Sequence, residues 1–442
     1  MGVKRGPVVT LGAVMRFFPL EEIQRILAAT GRQSQRIRKL PAELMVYWTV
    51  ACGLFVSAGG REVLRRVLKR KSAGWIDELE DLATDSALSQ ARTRLGSAAI
   101  ERIYSTIVRP LATRATPGAW FRRWRVVAID ATTLDVADSA ANARVFRRPG
   151  VSFGNAAYPQ VRLVSLLENG THVLFGAKIA SCRVHEAKLA RKVVDSLPKD
   201  AICLADRAFF GYPLWQQARA TGAELLWRVR SDANLPKLKK LSDGSYLTTI
   251  YPSVKARERD LDGIPARLIE FTIRTRQGKE QYRLLCSIMD CRKAPAIQLA
   301  HLYHRRWTIE TVFGELKTTL RGSGIVLRGQ TPDHVRQEIF GILMAHFGVR
   351  AFMFDAAMAE GIEPTELSFL HALRVVHRYL PIYVSFSPSI RLVDLPQRMP
   401  RGSPATPPTT TPSPLSSCAQ EEDDLQLPRP QTHLPEAPHH AV

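Results

Sequence analysis

The chain has 442 residues, 45% of them hydrophobic and 23% charged, enough to bury a sizeable core; this excludes a small disulfide-stapled scaffold and wholesale disorder. Lysines and arginines number 62 against 41 aspartates and glutamates, a net charge of +21 that points to a polyanionic partner, nucleic acid ahead of an anionic membrane surface. The six cysteines, Cys52, Cys182, Cys203, Cys286, Cys291 and Cys418, form no CxxC pair, and no histidine pair stands at zinc-finger spacing, so they read as structural thiols in a reducing compartment. The first residues lack an apolar stretch followed by a small-residue cleavage site, and the expected location is the cytosol, on the nucleoid.

Residues 1–120 read as an N-terminal helical DNA-binding domain. Apolar residues recur at helical spacing in EEIQRILAAT, REVLRRVLKR and SALSQARTRLGSAAIERIYSTIV, and Thr84 to Ser86 can cap the last of these. The region holds 19 basic against 10 acidic residues. The basic residues gather in three clusters: Arg32, Arg36, Arg38 and Lys39; Arg61, Arg65, Arg66, Lys69, Arg70 and Lys71; and Arg92 and Arg94. A single cluster is usually a solvated face, but three of one sign suggest contact with DNA phosphates. The uncharged run from Leu44 to Gly60 spans only about 26 Å as a helix, short of a hydrocarbon core of about 30 Å, and reads as a helix buried among other helices.

The pattern then turns to strands. Residues 121–223 read as the first part of an α/β catalytic core: a strand Trp124 to Ile129 ending at Asp130, a hairpin of Gln160 to Leu167 and Thr171 to Ile179 around Asn169-Gly170, a helix His185 to Ser196, and a strand Ala201 to Ala205 ending at Asp206. Residues 224–294 read as a β-rich insertion, with LLWRV, SYLTTIY, ARLIEFTIRT and YRLLCSIMD separated by turns at Asp243-Gly244 and Asp262-Gly263. Residues 295–395 resume the core with a helix Pro295 to Leu320, and a second helix from Thr331 to Ala357 opens with Pro332 in its first turn. Residues 396–442 hold 11 of the 28 prolines and an acidic cluster, and read as a disordered tail.

The helix after Pro295 carries the densest chemistry. At 3.6 residues per turn, Tyr303, Arg306, Glu310 and Lys317 share an arc of about 60°, beside an apolar face of Leu302, Ile309, Phe313, Leu316 and Leu320. Asp130 and Asp206 each end an apolar strand, where open α/β sheets hold their ligands, although either alone is more commonly a turn or cap residue. If the strands and the helix are neighbours, Asp130, Asp206 and Glu310 converge. Three carboxylates at one point repel unless cations neutralise them, and hard oxygen donors favour Mg²⁺ or Mn²⁺ over zinc. Two such ions could activate a water or a 3′-hydroxyl for in-line phosphoryl displacement on DNA.

The run YHRRWTIETVFGELK resembles the Tyr-x₂-Arg-x₃-Glu-x₆-Lys signature of the insertion-sequence-4 family of DDE transposases, met by Tyr303, Arg306, Glu310 and Lys317. IDATTLDVADSAANARVFRRPG and LADRAFFGYPLW resemble that family's two aspartate blocks, in order, and the resemblance runs from about Arg32 to Pro388. It implies an RNase H-like mixed sheet flanked by helices, with a β-rich insertion in the 104 positions between Asp206 and Glu310. It also implies cut-and-paste transposition, in which a homodimer bound to both terminal inverted repeats cleaves them and joins them to target DNA. By that resemblance Asp130, Asp206 and Glu310 are catalytic and hold two Mg²⁺ ions, Arg306 and Lys317 contact phosphates near the cleaved end, and Tyr303 helps hold the DNA. Three departures stand out: Ala131 replaces a glycine common after the first aspartate, Tyr282 stands where some relatives have a base-stacking tryptophan, with Trp227 farther back, and the tail is acidic rather than basic.

Alternatives from other classes are an RNase H-like nuclease without strand transfer, an inactive DNA-binding derivative, and a membrane-surface protein. The intact carboxylate triad argues against the inactive derivative.

Overall fold

A computed structural model describes residues 12–36, 39–68, 83–150, 157–275, 278–322, 324 and 326–379. The proline-rich tail, Cys418, Arg38, and Lys69, Arg70 and Lys71 of the second basic cluster lie outside the described residues. The described residues form two compact units: one takes those up to Ala201 and those from Trp307 to Tyr379, the other those within Ile202–Arg306.

The first unit is organised on the helix Pro332–Glu360. Its start follows the sequence: Thr331 caps it by accepting the His334 amide, Pro332 fills the first position, and Gly361 closes it in the left-handed conformation with φ 70°. By length and composition it could cross a membrane, but 78% of its most apolar window is buried inside the protein. The N-terminal helices Ala42–Leu54, Ser97–Ile107 and Asp85–Leu95 pack against it. Ala42–Leu54 is buried on nearly every side, as the uncharged run from Leu44 predicts. The two helices cross closely because glycines face each other: a Cβ on Gly341 would lie 2.6 Å from the Thr49 carbonyl, and one on Gly53 would lie 2.6 Å from the Gly341 carbonyl. Tyr47 donates to the Phe18 carbonyl at 3.0 Å and Trp48 to that of Gly60 at 2.9 Å, so the aromatic side chains of the buried helix have their polar ends satisfied.

The unit also holds an antiparallel sheet in the order β4-β3-β2, with β2 Trp124–Asp135, β3 Gln160–Glu168 and β4 Val173–Ser181. A short β1, Trp120–Phe121, pairs with the start of β2. The hairpin falls where predicted, but its loop takes four residues, Asn169 to His172, with Glu168 paired to Val173, and Tyr104 donates to the Leu174 carbonyl at 3.1 Å, tying the N-terminal helices to β4. One boundary differs from expectation: β2 does not end at Asp130 but runs five residues on to Asp135, because Thr132 and Thr133 suit a strand and β3 offers a continuous partner edge. The predicted helix over His185 to Ser196 breaks into Glu186–Ala190 and a 3₁₀ turn, Val194–Ser196.

In the second unit, β5 Ala201–Ala205 pairs in parallel with β6 Glu224–Arg228, joined by the helix Tyr212–Ala220. The sheet continues through β10 Gly278–Cys286, β9 Ile264–Thr275, β8 Tyr246–Ile250 and β7 Lys239–Lys240, all antiparallel. Asp243, read from sequence as a turn residue, does more. It pairs with Arg267, which is fully buried and also donates to Ser245 at 2.8 Å and to the Ala294 carbonyl at 2.6 Å. The same carboxylate accepts the Ala296 amide at 2.8 Å, fixing the start of the helix Ala296–His304. The architecture is the predicted α/β class: a meander strand bearing the first aspartate, a parallel βαβ pair bearing the second, a β-rich insertion, then a helix bearing the glutamate.

In an isolated helix, alanine is about 1 kcal/mol better than glycine. Gly341→Ala is nevertheless expected to lower the unfolding free energy by about 1–3 kcal/mol, since its methyl meets backbone that cannot yield. Chemical denaturation reads this; equal or higher stability would refute the close crossing.

Candidate active site

Asp130 sits within β2, opposite Ser165 of β3, and is half-buried. Its Oδ1 accepts the amide of Ala131 at 2.8 Å. The helix Thr308–Gly314 packs against β2 through this unit's core, with Ile309, Val312 and Phe313 buried, and Glu310 lies exposed in its first turn. The first unit therefore carries two of the three predicted carboxylates on two elements that pack together.

The segment from Pro295 to Leu320 is helical throughout but not one straight α-helix. A 3₁₀ turn, Arg305–Trp307, separates Tyr303 from Glu310, and a π turn, Glu315–Leu320, contains Lys317. Both turns change the rotation per residue, so the single polar arc drawn at a uniform α-helical period is not kept. Tyr303 and Arg306 are 3% and 4% exposed, Glu310 is exposed and Lys317 half-buried. The predicted apolar face is kept: Leu302, Ile309, Phe313, Leu316 and Leu320 are all buried.

The π turn is held from below. Glu315 pairs with Arg350 of the long helix, an arginine only 2% exposed, and His346 Nε2 stands 3.8 Å from the same carboxylate oxygen. Burial alone would raise the Glu315 carboxyl, but the neighbouring His346 and the Arg350 charge outweigh it and hold it at about 2. Burial pushes the His346 ring below its usual range, so the positive charge facing Glu315 at neutral pH belongs to Arg350. Phe369 closes the network, 4.8 Å from the Arg350 guanidinium carbon and 5.1 Å from the His346 ring.

In the second unit, Asp206 directly follows β5 and is half-buried. The Tyr303 hydroxyl donates to the carbonyl of Ala205, the last residue of that strand, at 3.3 Å. Burial pushes the phenol well above its ordinary range, with Arg306 opposing and Asp206 adding. Tyr303 thus braces the strand end that presents Asp206. Of the aromatic residues weighed for base stacking, Tyr282 lies between Phe271, at 5.5 Å, and the Arg228 guanidinium, at 3.9 Å, while Trp227 is fully buried against Trp215.

Among the described residues no group of three or more His, Cys, Asp or Glu side chains is gathered so as to hold a metal ion. The nominated donors are carboxylates only, a hard oxygen set whose chemistry suits Mg²⁺ or Mn²⁺. Cys52, Cys182, Cys203, Cys286 and Cys291 are all free, and burial pushes the thiols of Cys52, Cys203 and Cys286 up to about 12, which makes them inert packing groups. Sequence reasoning missed Glu315, His346 and Arg350. The available signal was a charged residue inside the apolar stretch of the long helix.

Residues 123–347 match the Transposase DDE domain family, and residues 8–105 match the N-terminal family of insertion element 4 transposases. The chain is 30% identical over 390 residues to the transposase InsG for insertion sequence element IS4 of Escherichia coli K12, covering 87% of this chain and 85% of that protein. The chain belongs to the insertion-sequence-4 family of DDE transposases. It is also 26% identical over 220 residues to the putative transposase InsZ of the same strain, covering 49% of this chain and 70% of that one. A piggyBac transposase synaptic complex with hairpin DNA aligns over 86% of this chain and 83% of that chain with a TM-score of 0.43 and 13% identity. As a DDE transposase the protein is an enzyme acting on DNA, with the divalent-metal dependence general to the family.

Tyr303→Phe removes one buried hydrogen bond and is expected to cost about 1 kcal/mol of stability. Its cleavage rate should fall more than its affinity for terminal DNA, because the phenol braces a strand end. Loss of DNA affinity with unchanged stability would contradict the bracing role.

Proposed function

We propose that this transposase binds the terminal inverted repeats of its own element as a homodimer, cleaves them and joins them to target DNA, working in the cytosol on the nucleoid. The observation that carries the reading is the run from Tyr303 through Arg306 and Glu310 to Lys317, placed inside the matched DDE domain with Asp130 and Asp206 before it in order.

In this reading Asp130, Asp206 and Glu310 hold two Mg²⁺ ions, which supply an activated water or 3′-hydroxyl and charge stabilisation at the leaving oxygen. Each carboxylate is presented by a differently supported element. Asp130 lies on a strand paired along its length, Asp206 follows a strand end braced by Tyr303, and Glu310 precedes a turn pinned by Arg350. Arg306 and Lys317 meet phosphates near the cleaved end, the guanidinium as a forked donor and the ammonium as a point charge. Tyr303 acts on the DNA through the strand end it braces.

The N-terminal helices supply affinity. Arg61, Arg65, Arg66 and Arg94 are exposed and can reach phosphates without rearrangement of the core. Arg92 does not join them: it stacks on Trp48 at 5.5 Å and donates to the His334 carbonyl at 3.0 Å, tying helix to helix. The sequence placed it in a DNA-facing cluster because periodicity does not reveal which arginine finds a partner inside the fold.

Asp130→Asn, Asp206→Asn and Glu310→Gln are each expected to reduce cleavage of terminal DNA by at least about a thousandfold while leaving specific binding within about threefold. Pre-cleaved ends incubated with Mg²⁺ and a target plasmid should be joined by the unsubstituted chain. Cleavage without joining would identify a nuclease instead, and retained cleavage in any variant would remove that residue from the site.

A further inference from the structure

We propose that Arg321 and Lys317 together form an anion site that takes one backbone phosphodiester of the DNA end. The inference rests on the transposase reading above and adds a residue to it.

Arg321 follows the π turn, one helical turn beyond Lys317. It is 7% exposed, and among the described residues its Nε and Nη1 are buried without a hydrogen-bond partner. A guanidinium carries five donors and cannot shed its charge, and buried donors left unpaired are rare enough to need a reason. The nearby carboxylates are engaged elsewhere. Asp135 accepts from the Gln160 amide at 2.8 Å, and Glu338 accepts the backbone amides of Arg328 and Gly329 at 3.2 and 3.0 Å. Burial disfavours the charge of both groups: the Lys317 amine is pushed below its ordinary range with the Arg321 charge adding and Asp135 opposing, and the Arg321 guanidinium is disfavoured in the same sense against Asp135 and Glu338. Asp135 offsets part of this charge from a distance, but two desolvated cations with buried donors unpaired remain costly, and a bound anion relieves the cost.

Two features favour a phosphodiester. A forked guanidinium beside a point-charge ammonium matches a phosphate's paired oxygens. The site also sits on the two elements that carry the predicted carboxylates of this unit: Asp135 lies on the strand of Asp130, and Lys317 and Arg321 follow on the helical segment that carries Glu310. A strand end cleaved near those carboxylates brings its phosphates to this ground.

Phosphate interference tests the site. Duplexes bearing the inverted repeats that bracket the gene are prepared with single phosphates replaced by neutral methylphosphonates, and binding is measured in the Asp130→Asn background so that cleavage does not intervene. Arg321→Met should weaken binding about tenfold and lower the slope of log affinity against log salt by about 1. It should also abolish the sensitivity to one methylphosphonate position that the parent shows, and Arg321→Lys should restore part of the affinity. The melting temperature of the DNA-free Arg321→Met chain should not fall, since no partner is lost. An unchanged interference pattern would overturn the inference alone, and a lowered melting temperature with that same pattern would assign Arg321 to the fold. Failure of the parent to bind terminal DNA would overturn the transposase reading and this inference with it.

Discussion

An arginine only 2% exposed, in the middle of the longest helix, is tolerable only if a carboxylate meets it. Arg350 is met by Glu315, and this pairing joins the two halves of the first unit's logic. On one side lies the helix Pro332–Glu360, packed around by the N-terminal helices and by β4. On the other lies the helical segment that carries Glu310 and Lys317. Glu315 is the first residue of the π turn and follows the α-helical residues Thr308–Gly314, so at about 100° per residue it stands roughly 140° around from Glu310, which stays exposed.

The elements that carry the expected carboxylates are held by contacts that those carboxylates do not make themselves. Tyr303 reaches the last carbonyl of β5, just before Asp206. Asp243 fixes both Arg267 and the first amide of the helix that carries Tyr303. Carboxylates brought near one another repel, so the contacts that hold their elements, such as Glu315 with Arg350 and Asp243 with Arg267, come from other residues. The same reasoning explains why Arg321 stands out: it is buried like Arg350 but has no Glu315 of its own.

Much of the fold was legible in the sequence because it depends on local pattern. The strands of the insertion, the turn at Asn169-Gly170, the Thr331-Pro332 helix start and the buried helix at Ala42–Leu54 all follow from periodicity and capping. What escaped depends on partners distant in sequence. β2 runs past Asp130 because β3 gives it a partner edge, and Arg92 left the basic surface because Trp48 and the His334 carbonyl receive it. The polar arc of Tyr303, Arg306, Glu310 and Lys317 assumed one helical period, and two irregular turns replaced it. The motif identified the residues; the roles of Tyr303 as a brace and of Glu315 as an anchor needed coordinates.

A double-mutant cycle of Glu315→Gln and Arg350→Met, read by chemical denaturation, tests the central constraint most directly. At pH 7 the two residues should couple by about 2–3 kcal/mol, each single change leaving the other group buried and unpaired. The Glu315 carboxyl is depressed from 4.5 to about 2, so this contribution should be complete above the ordinary carboxylate range and fade as pH falls toward 2. Coupling within about 0.5 kcal/mol of zero at neutral pH, or coupling that does not change down to pH 2, would contradict the account.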